Sequence, residues 1–221
     1  MLNYLTNSIN LLLYTIVLLA IFILIIILLP NHNIKLIKQL SLSFSLIIFL
    51  LTLVLWIFFN NELGNFVYVS HIPWLSNFNI YYSIGIDGIS IFFVILTAFL
   101  TPICMLISWN SIQYKAKEFF LMLLVTELLL INVFAVLDLF FFYIFFESVL
   151  IPMFIIIGVW GSRQRKIHAA YQFFFYTLFG SILMLLGIIV IYFQSGTTDI
   201  QLLSQLEISE SRQLLLWLSF F

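Results

Sequence analysis

Apolar residues occur along this chain in six long stretches, separated by short segments that carry most of the polar and charged side chains. Each stretch is close to the roughly 20 residues that a helix needs to cross about 30 Å of hydrocarbon. The pattern therefore predicts six transmembrane helices. The predicted spans are residues 9–29, 40–59, 89–109, 119–137, 139–159 and 169–193.

The fourth and fifth spans form one apolar block that is too long for a single crossing and fits two, with Asp138 at the tight turn between them. Residues 213–221 have the composition of the beginning of a seventh span. The first span is too long for a signal peptide, so we expect it to remain in the mature protein. The predicted fold class is all-α, a polytopic transmembrane helix bundle with about six complete spans plus the start of a seventh, in a single domain over residues 1–221.

The longest connection between spans, residues 60–88, contains short stretches in which apolar and polar residues alternate. Alternation is typical of a β-strand, and tryptophan, present here as Trp74, is common at the level of the lipid headgroups. We therefore predict an outward loop that contains an interfacial hairpin.

Composition narrows the function classes. Of the 221 residues 64% are hydrophobic and 8% are charged, against about 25% charged in soluble domains. The net charge is −1 without a large basic patch, so nucleic acid is not an expected partner. Cys104 and the three histidines lack the spacing of metal ligands, and no glycine-rich nucleotide motif is present. We therefore expect this chain to bind no metal or cofactor.

Basic residues are concentrated in alternate loops. The loops after the first, third and fifth spans hold seven of the eight lysines and arginines, and none of the eight lies inside a predicted span. Because lysine and arginine accumulate on the inner side of membrane proteins, these loops are predicted to face inward and the amino terminus outward. The seven residues are Lys35, Lys38, Lys115, Lys117, Arg163, Arg165 and Lys166.

Two glutamates fall within predicted spans. A charge at the centre of a membrane helix costs about 2.5–3.5 kcal/mol on insertion scales, so such residues commonly mark proton or ion paths. Glu147 and Glu127 lie at similar distances on either side of Asp138, which predicts similar membrane depth and a role for both in a proton relay. A neutral, hydrogen-bonded structural acid is the alternative for Glu147, and a clip between two helices is the alternative for Glu127. A cation that tunes Glu147 has to come from elsewhere.

Three further residues complete the candidate site. Pro152, five residues after Glu147, removes a backbone hydrogen bond and can kink the helix near the acid. Asp87 stands where the third span begins, and its position favours a helix N-terminal cap over chemistry. Asp138 is a candidate for the relay as well as for the turn.

Long strings in the second half of the chain resemble a known family. The stretch from Leu137 to Ser162, LDLFFFYIFFESVLIPMFIIIGVWGS, continues as RQRKIHAAY to Tyr171. Together with GIDGISIFFVILT at residues 85–97 and GTTDI at 196–200, these strings resemble the subunit 4 family of mitochondrial NADH dehydrogenase. Its members are antiporter-like, proton-pumping subunits of respiratory complex I. The first two spans match in position and hydropathy more than in motif.

The resemblance implies that this chain is the amino-terminal part of such a subunit, in the mitochondrial inner membrane beside other membrane-arm subunits and lipids. Glu147 then corresponds to the fifth-helix glutamate of the family's proton channel. The family pairs that acid with a lysine on the seventh helix, so we expect a separate polypeptide to carry the remaining helices. FMN, iron–sulfur clusters and ubiquinone are expected in other subunits, and this chain is expected to have no redox centre or catalytic site of its own.

Two alternatives to a proton channel coupled to NADH oxidation and quinone reduction stay open. One is a structural membrane scaffold of the same complex, which would tolerate loss of the Glu147 carboxylate. The other is a subunit of a Na⁺/H⁺ antiporter, which would show sodium-dependent flux.

Overall fold

The computed structural model describes residues 2–30, 33–59, 66–75, 80–162, 164–205 and 210–220. Six of its helices are long and apolar enough to cross a membrane, which confirms the helical membrane bundle predicted from the sequence. The elements are α1 (Leu2–Leu28), α2 (Ile34–Ile57), β1 (Val67–Leu75), β2 (Ile80–Ile86), α3 (Ser90–Ile107), α4 (Ala116–Ala135), α5 (Leu139–Trp160), α6 (Lys166–Ser195), α7 (Ile200–Leu203) and α8 (Glu210–Phe220).

The bundle has a well-packed half and an open half. Consecutive helices contact one another from α1 to α6, and α4 also contacts α1 and α2. The main apolar core lies among α1 to α4 and the two strands. By contrast, Leu150 and Pro152 are the buried residues of α5, and much of the apolar surface of α6 is exposed. In a membrane, lipid tails or further helices can cover this surface.

Helix α8 packs against α6 at a glycine. A Cβ atom at Gly187 would collide with Ser219 and would lie 3.1 Å from the ring of Phe220. Small residues allow helices in membranes to approach closely, because hydrophobic burial does not drive their association there. Gly187 therefore sets how close the α8 backbone comes to α6.

Lysines at the start of three helices bind carbonyl groups at the ends of neighbouring segments. The lysine ammonium group satisfies carbonyls that have no partner within their own helix, and its charge is favourable at a helix C-terminus. These contacts define one end of the molecule, which we call the basic end. The bonds run from Lys38 Nζ to the carbonyls of Trp109 (2.6 Å) and Ile112 (2.9 Å), from Lys117 Nζ to those of Ile27 (2.8 Å) and Leu29 (2.6 Å), and from Lys166 Nζ to that of Val159 (2.5 Å).

The expectation that every lysine and arginine lies outside the helices is wrong. Lys35 and Lys38 belong to α2, because this helix begins at Ile34 and not near residue 40. Lys117 and Lys166 likewise lie in the first turns of α4 and α6. Hydropathy misplaced these starts, because a lysine can lie in a membrane helix when its ammonium group reaches polar partners at the helix end. Arg163 lies outside the described residues.

The opposite end of the bundle carries the two strands, and we call it the hairpin end. Strands β1 and β2 are antiparallel and pair from Val67 with Ile86 to Leu75 with Ile80. They occupy part of the predicted loop 60–88, of which residues 60–65 and 76–79 lie outside the described part. That this loop faces outward and lies at the interface stays a prediction.

Backbone hydrogen bonds tie the connections at the hairpin end together. The connector between α4 and α5 binds β2 on one side and the segment before α7 on the other. These bonds fix the point at which α5 begins. They are Leu137 N–H to Ser83 O (2.8 Å), Leu139 N–H to Thr198 O (2.9 Å) and Ile200 N–H to Leu137 O (2.9 Å).

Asp87 caps the start of α3. Its Oδ1 accepts the Ser90 N–H at 2.6 Å, while the Ser90 hydroxyl accepts the Asp87 N–H at 2.9 Å. This reciprocal arrangement satisfies N–H groups that the first helical turn leaves free. Burial acts to raise the pKa of Asp87, but hydrogen bonds from Ser90 and from nearby backbone groups outweigh it and lower the pKa.

Candidate functional site

Glu147 lies on α5 and faces α6. Its Oε1 accepts a hydrogen bond from the hydroxyl of Ser181, whose oxygen also lies 2.9 Å from the carbonyl oxygen of Leu178 as an alternative acceptor. Ser181 is 3% exposed and Glu147 is half-buried. Tyr143, one turn before Glu147, interacts with both side chains through its phenol. The carboxyl group thus belongs to a small polar cluster between two membrane helices.

Pro152 is buried within α5, which is the fifth of the predicted spans. Since proline has no N–H, the carbonyl of Ser148 loses its usual partner four residues on. The Ser148 hydroxyl donates to Ile144 O at 2.7 Å and cannot replace that partner. A backbone acceptor without a helical partner therefore adjoins Glu147 in sequence, which is the kind of group that water can bind.

Glu127 lies at the same depth as Glu147. It is eight residues before the end of α4 at Ala135 (135 − 127), and Glu147 is eight residues after the start of α5 at Leu139 (147 − 139). At about 1.5 Å per residue, both acids lie about 12 Å from the connector. Glu127 is 1% exposed, and neither of its carboxyl oxygens has a hydrogen-bond partner among the described residues.

The two acids nevertheless face different neighbours. Glu127 belongs to the buried face of α4 that also holds Phe120, seven residues and two turns earlier. The Phe120 ring lies 5.7 Å from Lys38 Nζ of α2 and 6.4 Å from the ring of Trp109, which follows α3. Glu127 thus lies on the face of α4 whose Phe120 meets Lys38 of α2 and Trp109 after α3, whereas Glu147 faces α6.

Asp138 caps α5. Its Oδ1 accepts the N–H groups of Phe140 (2.9 Å) and Phe141 (3.2 Å), and its Oδ2 accepts the hydroxyl of Thr198 at 2.5 Å. Burial raises the pKa of Asp138, although these hydrogen bonds oppose the rise. All of its polar contacts serve the connector, an arrangement that favours the turn over the relay.

Two functional candidates were not recognised from the sequence. Ser181 is one of several hydroxyl residues on α6, and the sequence contains no signal that it faces Glu147. Lys38 could have been found, because Lys38, Ser41, Ser45 and Thr52 recur at helical spacing, which places polar groups on one face of α2. All four are buried.

A metal site would need several ligating side chains in one place. Within the described ranges, no group of three or more His, Cys, Asp or Glu residues has that arrangement. The expected absence of a cofactor from this chain stays a prediction.

Comparison with known proteins relates this arrangement to a family. Residues 136–221 match the family described as NADH:quinone oxidoreductase/Mrp antiporter, TM. The chain is 57% identical over 192 residues to NADH-ubiquinone oxidoreductase chain 4 of Arabidopsis thaliana. The aligned residues cover 87% of this chain and 39% of that protein. Against the chain 4 of Marchantia polymorpha, the identity is 54% over 198 residues, covering 90% and 40%.

The chain is related to NADH-ubiquinone oxidoreductase chain 4. A solved structure agrees with this relationship. The structure of respiratory complex I from Thermus thermophilus with bound NADH contains a chain that matches with a TM-score of 0.81 and 26% identity, covering 95% of this chain and 42% of that one. The chain therefore spans about two fifths of the length of the chain 4 relatives it matches. Glu147, Ser181 and Asp138 lie within the part that matches the family model.

Proposed function

We propose that this chain forms part of a proton-translocating membrane-arm subunit of NADH:ubiquinone oxidoreductase, and that Glu147 carries the proton. The observation that supports this most is the contact of Glu147 on α5 with Ser181 on α6, within two helices long enough to cross a membrane. The relationship to NADH-ubiquinone oxidoreductase chain 4 supports the proposed coupling to NADH oxidation and quinone reduction. FMN, iron–sulfur clusters and ubiquinone would lie in other subunits.

The Ser181 hydroxyl suits an acid that changes its protonation state. A hydroxyl can donate a hydrogen bond to a carboxylate and can accept one from a protonated carboxyl group. The contact can therefore persist before and after proton transfer, and the proton can leave without separating α5 from α6. The Ser148 carbonyl freed by Pro152 would hold water beside the acid.

We propose further that helices on a separate polypeptide complete the bundle against α5 and α6. The exposure of these helices supports this placement: much of the apolar surface of α6 is exposed, and the buried residues of α5 are Leu150 and Pro152. A lysine on one of the added helices would face Glu147. The intact mass of each polypeptide in the purified complex tests this proposal, and a single polypeptide of full chain 4 length would contradict it.

We place the subunit in the mitochondrial inner membrane as a multi-pass protein, beside other membrane-arm subunits and lipids. The basic end would face the matrix and the amino terminus the intermembrane space. Lysine and arginine accumulate on the inner side, and the described residues of the basic end include Lys35, Lys115 and Arg165 as exposed cations.

Replacing Glu147 by Gln in the assembled complex tests the proton-carrying role. We expect normal assembly and reduced coupled NADH oxidation, with a matched Glu118→Gln variant unaffected, because Glu118 is exposed in the first turn of α4. Unchanged coupled oxidation with Glu147→Gln would favour a structural scaffold. Proton movement that requires sodium would favour an antiporter.

A further inference from the structure

The interior of α1 to α4 contains polar groups that the Glu147 site does not use. On α2, Lys38, Ser41, Ser45 and Thr52 are buried on one face, which we call the α2 polar strip. The Ser45 hydroxyl donates to Leu42 O at 3.0 Å and lies 3.5 Å from Met105 Sδ, so the strip faces α3 inside the bundle. A membrane helix gains nothing from such a strip when it packs on apolar neighbours alone.

The register of α2 and α4 places the strip beside Glu127. Both helices begin at the basic end, and the ammonium group of Lys38 lies over the ring of Phe120, so the ends of these two side chains are level. Seven residues further along each helix stand Ser45 and Glu127, about 10 Å deeper in the bundle. Ser41 lies between these two levels.

The unpartnered atoms lie on these two helices, α2 and α4. Within the described part of the chain, Ser41 Oγ and both carboxyl oxygens of Glu127 are the buried side-chain nitrogen and oxygen atoms that lack a hydrogen-bond partner. Buried polar groups in native proteins are almost always bonded to protein or to ordered water. Three unsatisfied oxygens on two facing helices thus mark a place where water would be bound.

Other ionisable groups lie too far away, or face the wrong way, to serve Glu127 directly. On the elements that contact α4, Lys38 stands at the basic end and Tyr82 at the hairpin end, where its hydroxyl donates to Asn132 Oδ1 at 2.5 Å. Tyr143 and Glu147 interact with Ser181, and Tyr14, Lys35 and Cys104 are exposed. Among the described residues, Glu127 is therefore the ionisable group in the middle of this interior.

We propose that Lys38, Ser41 and Ser45 of the α2 polar strip form, together with Glu127, a hydrated proton path that opens at the basic end beside Lys38 and ends at Glu127, separate from the Glu147 and Ser181 contact. Water bound by Ser41, Ser45 and the carboxyl group connects the acid to the basic side. Beyond Glu127, Asn132 bonds to Tyr82 and to Leu128 O. The inference rests on the proposed role of the chain in proton translocation, and its test has a separate readout.

Cysteine reactivity along α2 tests the path in the assembled complex. Cys104 is the chain's single cysteine and is replaced by serine. Ser41, Ser45 and Thr52 are then changed one at a time to cysteine, with Ser43→Cys on the exposed face of α2 as the matched control. Neutral methyl methanethiosulfonate reacts with the thiolate, so its rate reports whether water and protons reach each position. Mass spectrometry of this chain gives the rate while the pH is varied on one side of the membrane.

We expect the Ser41→Cys and Ser45→Cys variants to react faster than the Ser43→Cys control. Their rates should rise about tenfold per pH unit on the basic side, because the thiolate fraction does so below the thiol pKa. The Thr52→Cys variant, beyond Glu127, should not follow that pH. Rates no faster than the control, or rates that follow pH at the hairpin end, would overturn the path.

Proton counting with Glu127→Gln addresses the proposed function separately. Fewer protons per NADH oxidised would support a role for Glu127 in translocation. An unchanged ratio would overturn that role, while the cysteine rates would still decide whether the hydrated path exists.

Discussion

Ser181 on α6 donates a hydrogen bond to Glu147 on α5, and this bond joins two membrane helices at an ionisable group. The serine is buried and the acid is half-buried. The carboxyl group is thus held by a partner that tolerates both of its protonation states. The position of the Glu147 carboxyl group therefore depends on α6 as well as on its own helix.

Ser181→Ala should therefore reduce proton translocation without preventing assembly. Losing a hydrogen bond to a charged group costs about 1.5–3 kcal/mol, which corresponds to roughly tenfold or more in the population of the correctly placed acid. Ser181→Thr keeps the hydroxyl and should retain most of the coupled activity. The measurement is the number of protons translocated per NADH oxidised by each variant complex. Equal losses in the alanine and threonine variants would argue for packing instead of hydrogen bonding.

The Asp138→Asn variant distinguishes a structural role of Asp138 in the turn from a role in the proton relay. Asparagine caps helices about as well as aspartate, while alanine costs about 1 kcal/mol. The Thr198 hydroxyl can rotate to accept a hydrogen bond from the new amide. We expect Asp138→Asn to assemble and translocate protons normally, and Asp138→Ala to lower the thermal stability of the subunit in the complex. A well-assembled Asp138→Asn complex that no longer translocates protons would assign Asp138 to the relay.

Glu127→Leu distinguishes a proton carrier from a clip between helices. Because the carboxyl oxygens have no partner among the described residues, leucine removes no observed hydrogen bond. An unsatisfied buried polar group costs about 1–3 kcal/mol, so we expect stability to be unchanged or higher. Proton translocation should fall. Thermal unfolding of the assembled complex checks the first expectation, and a loss of stability with normal translocation would favour the clip.

Gly187→Ala should weaken the packing of α8 on α6. The new methyl group would collide with Ser219, whereas at Gly180 a Cβ atom meets nothing within 4 Å. Alanine favours a helix by about 1 kcal/mol over glycine at either site, so Gly180→Ala is a matched control. Limited proteolysis of the segment before α8 should be faster in the Gly187→Ala complex than in the unmodified complex, and the Gly180→Ala complex should not differ from the unmodified one. Similar rates in both variants would contradict the close contact.

The sequence predicted the spans well because hydropathy reports directly on the length of apolar helices. Hydropathy placed the start of α2 too late, because the charged Lys38 was assigned to a loop. In the structure Lys38 belongs to the helix and its ammonium group donates to the carbonyls of Trp109 and Ile112. Equal depth of the two glutamates followed from counting residues. The directions in which the two glutamates face could not be predicted by counting, because the rotation of each helix depends on contacts such as that of Lys38 with Phe120.

Ser181 illustrates the same limit for the candidate site. Glu147 and Pro152 are recognisable because an acid and a proline are costly in a membrane helix. A serine carries little cost, since its hydroxyl can bond within its own helix, and Leu178 O is such an acceptor for Ser181. The bond of Ser181 to Glu147 on α5 depends on the crossing of two helices and leaves no pattern in the sequence.

Proton counting with the Glu147→Gln complex decides whether Glu147 carries the proton. The complex is reconstituted in vesicles, and protons translocated per NADH oxidised are compared with those of the unmodified complex and of Glu147→Asp, which keeps an ionisable group. We expect a lower ratio for Glu147→Gln and partial recovery for Glu147→Asp. An unchanged ratio in a fully assembled Glu147→Gln complex would contradict it.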